Sequence, residues 1–310
     1  MSPAAHRRDN GVASWTAPEC RMIVQDALQP DASHLVGFFC DTPMVGSGYF
    51  GMLQMGLMAR CRKAHCELLI KAFDLNEPDI PEQVQTLLVR SPMLGVVLTE
   101  PICDMQPMLK VLLAAGVPVV RIAPHSQEGN SFDICLDNHQ AAFDMTNYLI
   151  GLGHKRIAFL RGPSDHGDAN VRFAGFRKAM EDAGLPVIEE LCAQGTFEYD
   201  SGLIAGAQLL SIRPLPSAIF ACNDEMAAAV LATAHRLNLR IPEDFSLAGF
   251  DDAPLSRTVW PELTTVRQKM ELMGYLAADF LINPPSGPEA RKRSQQHELV
   301  IRQSTARAKA

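Results

Sequence analysis

The stretch RIAFLRGPSDHGDANVRFAGFRKAMEDAGL, residues 156–185, decides how the chain is read. A short β-rich run, RIAFLRG, ends at Gly162, and an amphipathic run from about Asp168 to Ala183 predicts a helix. The same alternation extends in both directions. Upstream, LVGFFC (35–40) precedes a helix from about Tyr49 to Ala64. CELLIKAF (66–73) precedes a second, from about Pro81 to Arg90, with Pro81 in its first turn. LGVVLTE (94–100) then leads into a helix ending near Ala115, and VPVVRIA (117–123) closes that half. The pattern restarts at ICL (134–136), which leads into a helix through Leu152. Downstream lie a strand at 188–194 with a helix at 200–212, SAIFA (217–221) with a helix at 224–238, and FSLAGF (245–250). A helix from Gln268 to Leu281, a breaker-rich basic loop at 283–295 and a last strand in HELVIR (297–302) complete the chain. Strands of four to seven residues separated by longer helices require βαβ crossovers and parallel sheets. The expected fold is α/β, with two doubly wound units and a ligand cleft at the C-terminal ends of their strands.

The bulk numbers bound the function. At 310 residues the chain suits two compact domains, and its 47 % hydrophobic and 20 % charged content is that of a globular protein. The net charge of −7, from 28 basic and 35 acidic side chains, argues against a polyanion-binding body. Residues 1–33 set Arg7, Arg8 and Arg21 against Asp9, Glu19, Asp26 and Asp31, so they form no basic arm. No run approaches a membrane span, and two arginines without an apolar segment behind them make no secretory signal, so a cytoplasmic protein is expected. Most of the eight cysteines sit singly at or near apolar runs, and Cys61 and Cys66 are too far apart for a CxxC pair. Reduced thiols serving as small hydrophobes fit this pattern.

Catalytic motifs are few. GSGYFG (46–51) matches GxGxxG, and Asp74 ends the next strand about where a ribose-binding acid would stand. However, DTPMV separates the first glycine from its strand, and Tyr49–Phe50 fills the place of close backbone approach, so a loop entering a helix fits better. There is no GxSxG, the nine histidines show no metal-ligand spacing, and His154 in GLGHKRIAF suits a cap or hinge. Neither an enzyme nor a cofactor or metal site is expected. The strand ends instead present hydrogen-bonding groups. Asn223–Asp224 follows SAIFAC, Asp251–Asp252 follows FSLAGF, and Arg172 lies one turn into the helix after RIAFLRG. Arg, Asn and Asp together match the vicinal hydroxyls of a sugar or the edge of a base, and Phe197 with Tyr199 offers an apolar face for a ring. Each has a plainer reading: Asn223 or Asp224 as a helix N-cap, Phe197 as core.

Taken in order, YLIGLGHKRIAFLRGP (148–163), VRFAGFRKAMEDAGL (171–185), GTFEYDSG (195–202), IFACNDEMAAAVL (219–231), LRIPEDFSLAGFDD (239–252) and PELTTVRQ (261–268) resemble the core of the LacI/GalR family of bacterial transcription regulators. The resemblance implies a periplasmic-binding-protein-like core of type I, with two subdomains joined by three crossovers near His154–Arg156, Thr265–Gln268 and Arg293–His297. Residues 34–155 with 268–294 would form one subdomain and 156–267 with 295–303 the other, leaving 304–310 as a tail. It also implies an effector site of Arg172, Asn223 and Asp251, with Phe197 as platform and Asp168 and Gln268 as secondary contacts. Asp41, Ser47, Tyr49 and Phe50 would line the cleft from the first subdomain, and Asp252 would be structural. A small carbohydrate-like effector, a homodimer and allosteric control of DNA binding are the implied activity.

The chain departs from that family at its start. Residues 1–33 contain no recognisable helix-turn-helix. RMIVQDALQ sits where the hinge helix belongs, with Leu28 at the wedge-leucine position but without the usual YxPN entry, so the segment reads as a vestigial hinge or disordered. Operator DNA would be a partner only with a headpiece upstream. A solute-binding protein of the same fold is the alternative, and an enzyme using GSGYFG for a dinucleotide is a third reading.

Overall fold

The computed structural model describes residues 34–42, 46–126, 131–284 and 291–309. The RMIVQDALQ segment and Leu28 lie outside them. In the first lobe, β1 (Leu35–Asp41), α1 (Gly48–Lys63), β2 (Glu67–Phe73), α2 (Ile80–Arg90), β3 (Gly95–Thr99), α3 (Gln106–Ala114), β4 (Val119–Ile122) and β5 (Ser131–Leu136) follow one another. They form a parallel sheet ordered β11-β5-β4-β3-β1-β2, with β11 (Lys292–Gln295) returning from the far end of the chain. Strand β1 shows why the sheet is covered on both sides. Val36, Phe38 and Cys40 enter one core with Leu53 and Leu57 of α1, while Phe39 enters the opposite core with Val84 of α2 and Leu112 of α3.

The second lobe comprises α4 (Asn138–Gly151), β6 (Ile157–Arg161), α5 (Gly167–Asp182), β7 (Cys192–Gln194), α6 (Tyr199–Ser211), β8 (Ala218–Ala221), α7 (Asp224–Arg236), β9 (Ser246–Asp251), α8 (Leu255–Thr258) and β10 (Thr264–Arg267). Its sheet runs β12-β10-β9-β8-β6-β7, parallel except for the antiparallel edge strand β12 (Glu298–Val300). One core joins Met145 and Leu149 of α4 to Phe159, Phe176, Phe220 and Phe250. Helix α9 (Met270–Ile282) crosses back, and its Met273, Ala277 and Phe280 pack in the first lobe.

The chain passes between the lobes three times, and one passage differs from the expectation. ICL does not open the second unit: it is the end of β5, paired with β4 in the first sheet. The following helix α4 packs in the second core, so the first passage falls at Leu136–Asn138, ahead of that helix and not at His154–Arg156 behind it. The apolar face of α4 fits either sheet by period alone, and only its partners assign it. His154 is instead buried, with Nε2 3.0 Å from the carbonyl of Ala306. The other passages lie between Arg267 and Met270 and between Gln295 and Glu298. The segment after β12 is strapped to the second lobe: Leu247 and Ser304 exchange bonds, and the Ala308 amide donates to Leu152.

Helices α1 and α9 meet backbone to backbone. A Cβ on Gly56 would overlap the Glu271 carbonyl oxygen, and one on Gly274 would overlap that of Leu53. Helix interiors disfavour glycine, so this crossing is bought with helix propensity. Gly274→Ala should lower the unfolding free energy by about 1–3 kcal/mol through overpacking. Urea denaturation checks it, with a lower midpoint and an unchanged slope expected.

Candidate effector cleft

A cleft of about 620 Å³ lies between the lobes, at the C-terminal ends of their strands. Its second-lobe wall is organised around Arg172. The guanidinium is almost fully buried: Nε donates to Asn138 Oδ1 at 2.8 Å, Nη1 donates to the Cys222 carbonyl at 2.7 Å, and the plane lies 3.7 Å above the Phe250 ring centroid. Asp251 Oδ1 stands 3.8 Å from Arg172 Nη1 and accepts from Gln268 Nε2 at 2.7 Å. Burial pushes the Asp251 carboxyl up to about 6, against the opposing pull of Arg172 and Gln268. Phe197 presents its ring to the cleft with His166 packed edge-on at 4.9 Å, and Gly162 has no Cβ that would collide with that ring.

Asn223 serves two purposes. Its Oδ1 caps α7 by accepting from the Met226 amide, and its Nδ2 donates to the Phe197 carbonyl, which leaves one amide proton for the cleft. Asp224 lies behind the wall, accepting from Thr265 Oγ1 and the Ala253 amide; burial raises its carboxyl well above the ordinary range. Asp251, Asp252 and Phe197 all adopt positive φ, at 115°, 53° and 67°. Such backbone strain in non-glycine residues clusters at ligand sites.

The doubled acid divides its work. Asp252 turns from the cleft into a cluster of arginines, bonded to Arg302 and, at 2.7 Å, to Arg267 Nε, with Arg257 at 3.4 Å. Burial raises its carboxyl, but those bonds outweigh it and hold Asp252 below the usual carboxylate range.

From the first lobe, Asp41, Ser47 and Tyr49 line the cleft. Asp41 Oδ1 is buried with no hydrogen-bond partner among the described residues, and desolvation raises its carboxyl. Ser47 accepts from the Phe50 amide as N-cap of α1, so GSGYFG is a capped helix entry. Two expected residues are not in the lining. Phe50 stacks on Phe38 at 5.2 Å inside the first core, because adjacent helical positions point about 100° apart and Tyr49 takes the cleft side. Gln268 is buried behind Asp251 and reaches the cleft only through it.

Sequence reasoning passed over Glu100, His125 and His166. Glu100 lines the cleft one residue past β3, and His166 does so ahead of α5. His125 follows β4, its amide donating to Asp104 Oδ2; Asp104 is itself ion-paired to the fully buried Arg121. Hydrogen bonds to Asp168 and Glu100 raise the His125 imidazole to about 10. Position at a strand's C-terminal end was the available signal. Among the described residues the lining carries seven carboxylates, Asp41, Glu100 and Asp168 among them, against one guanidinium.

Residues 146–305, just over half the chain, match the family model for the periplasmic binding protein-like domain. The chain belongs to that family. The relatives that follow are named as transcription regulators. The ribose operon repressor of Escherichia coli K12 is 36 % identical over 186 residues, which is 60 % of this chain and 56 % of the repressor. The match thus spans little more than half of that relative. The transcriptional regulator CelR, solved with cellobiose, is 26 % identical with a TM-score of 0.78, covering 92 % of this chain and 89 % of the other. A LacI family regulator from Mycobacterium smegmatis is 29 % identical with a TM-score of 0.74, covering 88 % and 99 %. Among the described residues no helix is long and apolar enough to cross a membrane.

Asp252→Asn should cost about 3 kcal/mol at pH 7, since it leaves the largely buried Arg302 side chain without its closest carboxylate. The carboxyl is depressed in the folded state, so its contribution is present above the unfolded carboxylate value and lost as pH falls through the folded one. The gap between wild type and variant in urea unfolding is expected to close towards acid pH.

Proposed function

We propose that residues 34–309 are the effector-sensing core of a LacI-type transcription regulator, and that its effector is an uncharged, polyhydroxylated small molecule of the sugar class. The observation that carries this reading is the convergence of Arg172, Asp251 and the Phe197 ring in one cleft between two lobes. Hydroxyls donate to Asp251 and Asp41, and the apolar face of a sugar ring suits an aromatic plate. Asp41 supports it further, because its buried Oδ1 has no donor among the described residues. The ribose operon repressor and the cellobiose complex of CelR are sugar-linked relatives.

The acid excess narrows the class. A phosphate or sugar acid entering among seven carboxylates would meet like charge at low dielectric, with Arg172 already committed to Asn138 and Cys222. Neutral sugars are therefore favoured over sugar phosphates. A ligand that bridges Asp41 on one lobe and Asp251 on the other binds the closed arrangement more tightly and shifts the population towards it. On this reading that shift repositions the first lobes of a homodimer, and a helix-turn-helix headpiece carries the contact with operator DNA.

Calorimetric titration with ribose, cellobiose and ribose 5-phosphate tests the reading. A neutral sugar should bind and the phosphate should not. Asp251→Ala should weaken the neutral sugar about 10- to 100-fold, as loss of a charge-assisted hydrogen bond implies, with the circular dichroism spectrum unchanged. Unchanged affinity in that variant would remove Asp251 from the site.

A further inference from the structure

Side chains from three separate stretches of the sequence meet at one edge of the cleft, two from each lobe. Glu100 and His125 follow β3 and β4 of the first lobe, and His166 and Asp168 stand at the start of α5 in the second. His125 Nε2 is 3.0 Å from Asp168 Oδ1 and 3.5 Å from Glu100 Oε2, while His166 Nδ1 is 3.2 Å from Glu100 Oε2. The donor atoms of Glu100, His125 and Asp168 all lie within 4.8 Å of one another.

Those separations are informative. Ligand atoms held about 2.1 Å from a transition metal stand roughly 3.0 Å apart on an octahedral edge and roughly 3.4 Å apart on a tetrahedral one. Hydrogen bonding alone does not account for the cluster, because His166 Nδ1 is buried and makes no hydrogen bond among the described residues despite facing Glu100. We propose that Glu100, His125 and Asp168 form a binding site for a divalent first-row transition metal, with zinc the best match and His166 facing the same Glu100 oxygen from the second lobe. An imidazole with two carboxylates and no thiolate suits Zn²⁺ and its neighbours better than Cu⁺, and the nitrogen ligand disfavours the oxygen-seeking Ca²⁺ and Mg²⁺.

The surroundings support the ligands. The Gly167 amide donates to Glu100 Oε1, which leaves Oε2 to face both imidazoles. A Cβ on Gly167 would overlap the His125 ring, so glycine at this position admits the imidazole. The Arg121–Asp104 pair fixes the His125 backbone from behind. Outer contacts of this kind orient metal ligands. The dication balances Glu100 and Asp168, and the other five carboxylates of the lining keep the cleft acidic. With ligands drawn from both lobes, the ion staples the cleft at its edge and favours closure.

This proposal requires neither a sugar nor Asp251, so its test is separate from that of the effector reading. ZnCl₂ is titrated calorimetrically into the untagged, metal-stripped full chain, and CoCl₂ is added in parallel to follow visible absorption. One equivalent should bind, raise the melting temperature and give a cobalt spectrum. His125→Ala, at a part-exposed loop position that leaves the fold intact, and Glu100→Gln should each weaken zinc at least about 10-fold, as loss of one ligand does. His235→Ala, at the exposed end of α7, should leave zinc affinity unchanged. Absence of zinc binding by the wild type, or equal binding by His125→Ala, overturns the site and assigns any uptake to other histidines.

Discussion

Burying the Arg172 guanidinium is the constraint to which the second lobe answers. A desolvated cation is tolerated only when its donors and its charge are met together. Here the donors are met by Asn138 at the start of α4 and by the Cys222 carbonyl beyond β8. The charge is met by Asp251 at 3.8 Å and Asp168 at 4.0 Å, and the guanidinium plane lies on Phe250. One side chain thus fixes the ends of two strands and the starts of two helices. Displacing it would leave Asp251 buried beside Asp224, two acids that this cation holds together with the donors Thr265, Ala253 and Gln268.

The turn after β9 follows from the same requirement. Asp251 must face the cleft and Asp252 must face away, yet the two are adjacent. A strand alternates sides at that spacing, but both backbones also leave the extended region, with φ of 115° and 53°. Strain of this kind persists when surrounding contacts over-determine it. Gln268 holds one carboxylate, while Arg302 and Arg267 hold the other. Gly249 contributes space, because a Cβ there would overlap the Asp224 carboxylate beneath it. Hence the GFDD sequence: a glycine above a buried acid, an aromatic beneath the arginine, one acid for the cleft and one for the scaffold.

Period and strand-end position were readable without coordinates, because the alternation in RIAFLRG and the helical face of VRFAGFRKAMEDAGL are local properties. The placement of Asn223 and Asp251 at the cleft was readable too, since parallel strands deliver their C-terminal residues to one edge, and Arg172 lies one turn into the helix that follows such an end. Three things were not. Helix α4 has an apolar face that suits either core, and its partners decide the lobe. Tyr49 and Phe50 are neighbours of similar type, and only the pitch of α1 sends one to the cleft and the other against Phe38. Glu100, His125, His166 and Asp168 have no local spacing to notice, because their meeting depends on two sheets facing each other. A motif search reads along the chain, and this cluster exists only across it.

The two walls are electrically unequal, and that asymmetry links ligand to closure on the proposed reading. The first lobe brings Asp41 and Glu100 to the lining with no lysine or arginine, and the second brings Asp168 and Asp251 with Arg172. Closing the lobes on an empty cleft therefore concentrates carboxylates as water leaves, which opposes closure. Where donors stand between the walls, that opposition is relieved: at one edge His125 and His166 face Glu100, with His125 also meeting Asp168, while in the middle no described residue donates to Asp41 Oδ1. The edge is thus poised to hold, while the middle waits for hydroxyls. A ligand acts here less by filling volume than by supplying the hydrogen-bond donors that the facing acids lack. On the proposed reading, the same charge balance favours closure on a neutral polyol over closure on a phosphate of equal size.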